Sequence, residues 1–445
     1  MNLFALSFTI DVWATLLWLL KAIAFMALGA FIMLAVFMNS FTPFRAILFA
    51  LVLLPSLALA AEPDLQGDFN SHKTVVVDGR IRVKETLVSP CYDGGRIDFS
   101  GGTQNCLHFD WEYRQPEGML GHASALVWAG EPNKGPILEV RGAGLLVTGG
   151  GNFIGYRQQS GPWKNIDHAK DLCSLAILFR GAGSPTGTKY GLDNGSATTG
   201  PIFIGGCKRG IQFGAGIDEN NADNCHFGYI ACSHVDNLVC FVNRQAVSYT
   251  FDHLRQLADG TEAEQRAFEL LRFEAGGKCL VSHVEINQGL VCRAIRSDWN
   301  TGFCHIATVS TDPGGGEGYQ LFDGAPDPAV SGMATPCPFH FSIGKLWNGS
   351  AKREPVSKAG WLVDAYAGQR VTIEGGGLLE AENGPSIRLR GSKTERAVIQ
   401  FFGVKFDSKD TPKQMIDPSS EFYSVDVRGC IDRKGDVFSK TWKVD

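Results

Sequence analysis

Short apolar runs of about four to six residues, each closed by Gly, Asn or Asp, recur from Leu138 to about Arg428 without a sustained heptad. That pattern predicts an all-β repeat. Three segments overlay, each a turn residue leading into a strand: Gly210-Ile211-Gln212-Phe213, Asn237-Leu238-Val239-Cys240-Phe241 and Gly289-Leu290-Val291-Cys292-Arg293. Their separations, about 28 and then about 52 residues, fit a coil of roughly 25 residues if the wider gap holds either one more coil or an insertion. The gap's own sequence favours an insertion. Ala267, Leu270 and Leu271 fall near helical spacing behind a capping box at Thr261-Glu262-Ala263-Glu264, predicting a short helix within 253–273. Leu270 to Glu274, Cys279 to Ile286 and Leu290 to Ile295 then read as three strands of one coil. A single coil cannot bury its inward residues, whereas stacked coils bury a continuous column and pair every backbone group. The expected architecture is a right-handed parallel β-helix over 113–430, with a cap region at 61–112 and a charged tail at 431–445.

The first sixty residues have a different pattern. From Met38 the chain reads as a secretory signal: Arg45 in a short polar start, an apolar run from Ala46 to Leu57, and Ala58-Leu59-Ala60 before Ala61. Cleavage after Ala60 would release residues 61–445 to the periplasm, the cell surface or the medium. Upstream, Val12 to Leu20 and Ala22 to Phe37 are apolar on either side of Lys21. They read as a membrane helix that would anchor the chain if retained, or as translation begun ahead of the true start at Met38. Two export-type segments in tandem are redundant, which favours Met38.

Composition supports the strand reading, since 53 Gly and 29 Phe suit tight turns and stacked strands. A net charge of -5 without a Lys/Arg-rich run supplies no field for a polyanion as extended as nucleic acid, which excludes that partner class. All 12 Cys follow the signal. No Cys-x-x-Cys occurs, and several lie within apolar stretches such as Leu238-Val239-Cys240-Phe241, so they read as small core side chains in a compartment that permits pairing.

Gly94-Gly95-Arg96-Ile97-Asp98-Phe99, with Gly101-Gly102-Thr103 after it, resembles the opening strand and turn of pectate-lyase-like β-helix proteins. Val140-Arg141-Gly142-Ala143-Gly144 is similar to the Gly-x-Gly turn of one of their early coils. In coil pattern the resemblance runs over roughly Thr86 to Phe406, and it implies polysaccharide as the substrate class. The chain lacks the Asn-Thr-Asp, Asp-Asp, Gly-His-Gly and Arg-Ile-Lys signatures of the polygalacturonase branch, and the Arg-x-Pro-x-x-Arg of the pectate-lyase branch. No catalytic residue carries over, because a fold does not fix a function.

The candidate chemistry is therefore local. Ser233-His234-Val235-Asp236 recurs as Ser282-His283-Val284-Glu285, and period-2 alternation sends each valine inward and each His and acid outward. If one coil and the insertion separate them, the two dyads share a stripe or lie on neighbouring ones. His234 or His283 could then act as base in β-elimination on a uronic acid, with Arg244 or Arg293 neutralising the sugar carboxylate. Asp236 and Glu285 could instead be the acid pair of a glycoside hydrolase. A third reading makes the chain a non-catalytic glycan-binding or surface structural module, its dyads plain solvated residues. Asp218, Glu219 and Asp223, in the turn Asp218-Glu219-Asn220-Asn221-Ala222-Asp223-Asn224, form an oxygen-rich candidate for calcium, although Asn and Asp are also ordinary turn formers.

Overall fold

The computed structural model describes residues 64–71, 74–89, 95–99, 124–141, 144–149, 151–155, 173–180, 197–198, 200–217, 223–243, 248–256, 268–286, 292–298, 302–311, 319–325, 339–348, 361–376, 378–379 and 385–445. Strand accounts for 64% of the structure and helix for 4%, which makes it all-β. The pairing is parallel up to the last strand, and most of it falls in three ladders.

The first ladder starts with Thr74–Val76, Arg96–Phe99 and Leu146–Gly149. It continues through Ala197–Thr198, the start of His226–Phe241, Tyr249–Gln256, Lys278–Ile286, Gly302–Thr311, Phe339–Asn348, Gln369–Glu374 and Ala397–Phe402 to Tyr423–Ile431. The second starts with Arg80–Val83, Ala125–Trp128 and Gly151–Ile154, takes the start of Ile202–Phe213 and the middle of His226–Phe241, and then the C-terminal halves of Tyr249–Gln256, Lys278–Ile286, Gly302–Thr311 and Phe339–Asn348. The third runs from Leu87–Val88 through Leu138–Val140, Cys173–Phe179, the ends of Ile202–Phe213 and His226–Phe241, Phe268–Phe273 and Cys292–Ser297 to Tyr319–Asp323, Val363–Tyr366 and Ile387–Arg390. Each pass of the chain thus lies on the one before, a pairing compatible with a β-helix. Val437–Val444 returns antiparallel along Tyr423–Ile431, giving its otherwise open edge a partner.

Alternation makes the strands, and a slip in it turns the corner. Along Lys278–Ile286, Cys279, Val281, Val284 and Ile286 are buried, while Ser282 and His283 face outward in succession. Asp252 and His253 make the same slip in Tyr249–Gln256, as Ala307 and Thr308 do in Gly302–Thr311. Each slip passes the chain from the first ladder to the second and leaves two adjacent side chains on the outer surface. The inward residues stack in columns: Phe179, Phe213, Phe241 and Phe273 follow one another with ring centroids 5.2, 5.4 and 4.7 Å apart. Stacked rings of this kind add to simple area burial. Gly277 (φ 115°) closes the turn from third ladder to first, where an added Cβ would lie 2.4 Å from the Phe273 ring. Cys173, Cys207, Cys225, Cys232, Cys240, Cys279, Cys304 and Cys430 are buried in this core.

Three expectations change. Strands pair in register from Thr74 onward, so the parallel passes begin ahead of the boundary read at 112. The gap between Asn237 and Arg293 holds a complete further pass, because Asn237 lies opposite Glu269 and Glu269 opposite Arg293. Within 253–273, residues up to Gln256 and from Phe268 onward are strand, and the capping box at 261–264 lies outside the described residues. The repeat of buried Leu271 and Phe273 beneath Val239 and Phe241 outweighs the local helical spacing.

Candidate functional site

Two groups of polar side chains decorate the outer surfaces. The first lies on the second ladder, just past the corner, where the phase slip exposes a histidine in successive passes. Tyr229 lies opposite His253, His253 opposite His283 and His283 opposite Thr308. Two residues along, Arg255 lies opposite Glu285 and Glu285 opposite Ser310. The two rows adjoin. The imidazoles of His253 and His283 stack at 4.5 Å, and Tyr229 meets His253 edge-on at 4.8 Å. Glu285 is the charge at the centre, with Arg255 Nε 3.2 Å from Oε1 and His253 Nε2 3.3 Å from Oε2. Both nitrogens are within ion-pair distance but lack hydrogen-bond alignment, and among the described residues neither has a hydrogen-bond partner. His283 Nε2 lies 2.6 Å from Ser310 Oγ.

The electrostatics suit a base. Burial lowers the His283 pKa below its ordinary value, the neighbouring His253 lowers it further, and Glu285 opposes them. Its ring is therefore neutral at neutral pH. Glu285 is held below the usual carboxylate range by His253 first and by Arg255 second, against the cost of burial. Both shifts give stability the same pH dependence. As pH falls below the ordinary histidine value of 6.5, the unfolded chain takes up a proton that folded His283 resists. The stabilisation from Glu285 is present above its ordinary 4.5 and is lost as pH falls through its lower folded value. Thermal melts should therefore fall as pH drops below 6.5 and fall again below 4.5, and Glu285→Gln should flatten the second decline.

The second group covers the third ladder. Arg209, Arg272, Arg293 and Arg296 interleave with Glu269, Glu274, Asp298 and Asp323 across successive passes. Glu269 accepts from Asn237 Nδ2 at 2.7 Å and from Arg293 Nη1 at 3.1 Å. Asp298, fully buried, accepts from Arg272 Nε and Arg296 Nε, each at 2.9 Å. Arg209 reaches Glu274 at 2.5 Å, and Arg293 reaches Asp323 at 3.2 Å. Burial raises the Glu269 carboxyl and pushes the Cys240 thiol beneath the array up to about 12. Each of the four carboxylates here has an arginine, so the array is compensated internally and joins neighbouring passes.

Of the sequence candidates, His283 and Glu285 fall together in the first group, and Arg293 belongs to the second. Asp236 follows the corner where the chain leaves the second ladder for the third, between Ser233, opposite Gly205, and Val235, opposite Cys207. The side chain of His234 is not described, but its backbone lies at this same corner. The register partner of His283 is His253, so the two dyads do not share a stripe. Two passes back, that row holds Tyr229, and Ser233-His234-Val235-Asp236 follows further along the strand at the next corner. Arg244, Asp218 and Glu219 lie outside the described residues; Asp223 is buried, and among the described residues no cluster of three or more His, Cys, Asp or Glu could hold a metal ion. His253 and Arg255 were missed, although Asp252-His253-Leu254-Arg255 has the same polar, His, aliphatic, charged order as Ser282-His283-Val284-Glu285. No protein-family model, curated protein or solved structure matches the chain.

Proposed function

We propose that the chain is an exported, right-handed parallel β-helix protein of pectate-lyase-like type, three strands to a coil, that cleaves an acidic polysaccharide by β-elimination at the His253–His283 site. The observation that carries this reading is a half-buried histidine, its pKa lowered by burial, one row from an arginine on the same outer face. Elimination from a uronic acid needs a base for the proton beside the carboxylate and a cation to hold the charge that develops there. His283 Nε2 takes the proton, the released pair forms the double bond, and the bond to the leaving sugar oxygen breaks as that oxygen takes a proton from water. Arg255 neutralises the sugar carboxylate, and Glu285 holds Arg255 and His253 in place until substrate competes for them. The third-ladder array is less suited to this step, because its carboxylates are already committed to arginines.

The signal-like segment before Ala61 and the resemblance in coil pattern support export and a glycan substrate. The test is to express the chain with its own leader, locate it by fractionation, and incubate the purified protein with a panel of acidic and neutral polysaccharides. Unsaturated-uronide absorbance is expected on an acidic polymer. Reducing ends without that absorbance would overturn elimination in favour of hydrolysis, and neither signal would favour a binding or structural module.

A further inference from the structure

A hydroxyl of the protein itself lies beside His283 Nε2. Ser310 Oγ lies 2.6 Å from that nitrogen, on the next strand and one step diagonal to it, since His283 lies opposite Thr308 and Glu285 opposite Ser310. In the tautomer with its proton on Nδ1 the neutral imidazole accepts at Nε2 and the serine hydroxyl donates. Both residues are half-buried on the outer surface, within reach of a bound chain. The far side of the histidine is packed by the His253 ring at 4.5 Å, which limits its rotation away from the serine. A nucleophile and a base in hydrogen-bond contact, with the base held by a third group, is the arrangement that activates a hydroxyl. In the following strand the register partner of Thr308 is Lys345, which puts a cation beside the row where an oxyanion would form.

We propose that Ser310 is a nucleophile activated by His283, and that the site removes ester groups from the polysaccharide it binds. Ser310 Oγ forms a bond to the ester carbonyl carbon as its proton passes to His283 Nε2. The carbonyl–oxygen bond then breaks, and the leaving alcohol takes that proton. Water repeats the sequence, releasing the acid and restoring the serine. On a methyl-esterified uronate this exposes the carboxylate that Arg255 recognises, so ester removal would precede elimination at one site. The choice of a sugar ester rests on the glycan reading above, whereas the nucleophile does not.

The test uses the full chain and a biotinylated fluorophosphonate, with the labelled residue found by peptide mass spectrometry. An adduct on Ser310 is expected, absent in Ser310→Ala and formed about 100-fold more slowly in His283→Gln. Circular dichroism and melting of both variants establish that they are folded. In parallel, acetate release from an O-acetylated polyuronate and methanol release from a methyl-esterified one distinguish the two ester types, and either release supports the proposal. No adduct on Ser310 in the folded protein, or hydrolysis of neither ester, overturns it. Elimination is read separately on a polymer stripped of esters, so labelled protein that makes no unsaturated ends sinks elimination alone.

Discussion

His283→Gln should lower kcat/KM for unsaturated-product formation by about 10²- to 10⁴-fold, the usual contribution of a positioned general base. Glutamine keeps much of the side chain's size and polarity but cannot take a proton. His283 is half-buried on an outer surface, so the variant should melt close to the parent at neutral pH. The pH profile provides the sharper test. In the parent, activity should rise with pH through a limb below the ordinary histidine value of 6.5, because burial and His253 lower the His283 pKa. His253 from the pass before and Ser310 from the pass after lie against this ring, Glu285 lies two residues along its own strand with Arg255 opposite, and of these only Glu285 opposes that lowering. In His283→Gln the residual activity should lose that limb. A retained limb would assign it to another group, and unchanged kcat/KM would remove His283 from the chemistry.

What could be read in the sequence was the property that repeats. Alternation of small runs with Gly and Asn gave the all-β class, and strands near 270–274, 279–286 and 290–295 lie close to the observed Phe268–Phe273, Lys278–Ile286 and Cys292–Ser297. Inward Val284 with outward His283 and Glu285 follows from period 2 alone. Register did not follow. Ser233-His234-Val235-Asp236 matches Ser282-His283-Val284-Glu285 more closely in residue type than Asp252-His253-Leu254-Arg255 does, yet the last is the true neighbour. Chemical likeness between coils is weak evidence of adjacency, because a ladder is set by the count of residues per pass and by which aromatic rests on which. The third-ladder array was hidden for a related reason. Glu269, Arg293, Asp298 and Asp323 are ordinary charges in sequence, and only stacking brings them to one surface.

That array predicts the largest loss of stability. Asp298→Ala should destabilise the fold by about 3–5 kcal/mol, read as a lower urea midpoint at unchanged slope. The carboxylate is fully buried and takes the Nε protons of Arg272 and Arg296, so its removal leaves two guanidinium groups facing each other with little water to screen them. Arg272 also loses the partner that does most to hold its proton, although Glu269 and Glu274 remain nearby. Moderate salt should recover little of the loss, unlike that of an exposed pair. A double-mutant cycle separates pairing from packing. If Arg296 matters chiefly as the partner of Asp298, Arg296→Met in the Asp298→Ala background should cost much less than in the parent, because it removes a buried cation that has lost its nearest acid and keeps only the longer contacts to Glu269 and Asp323. Additive losses would show that the two act independently. A variant of parental stability that fails to bind acidic polysaccharide would move the substrate site from the second ladder to the third.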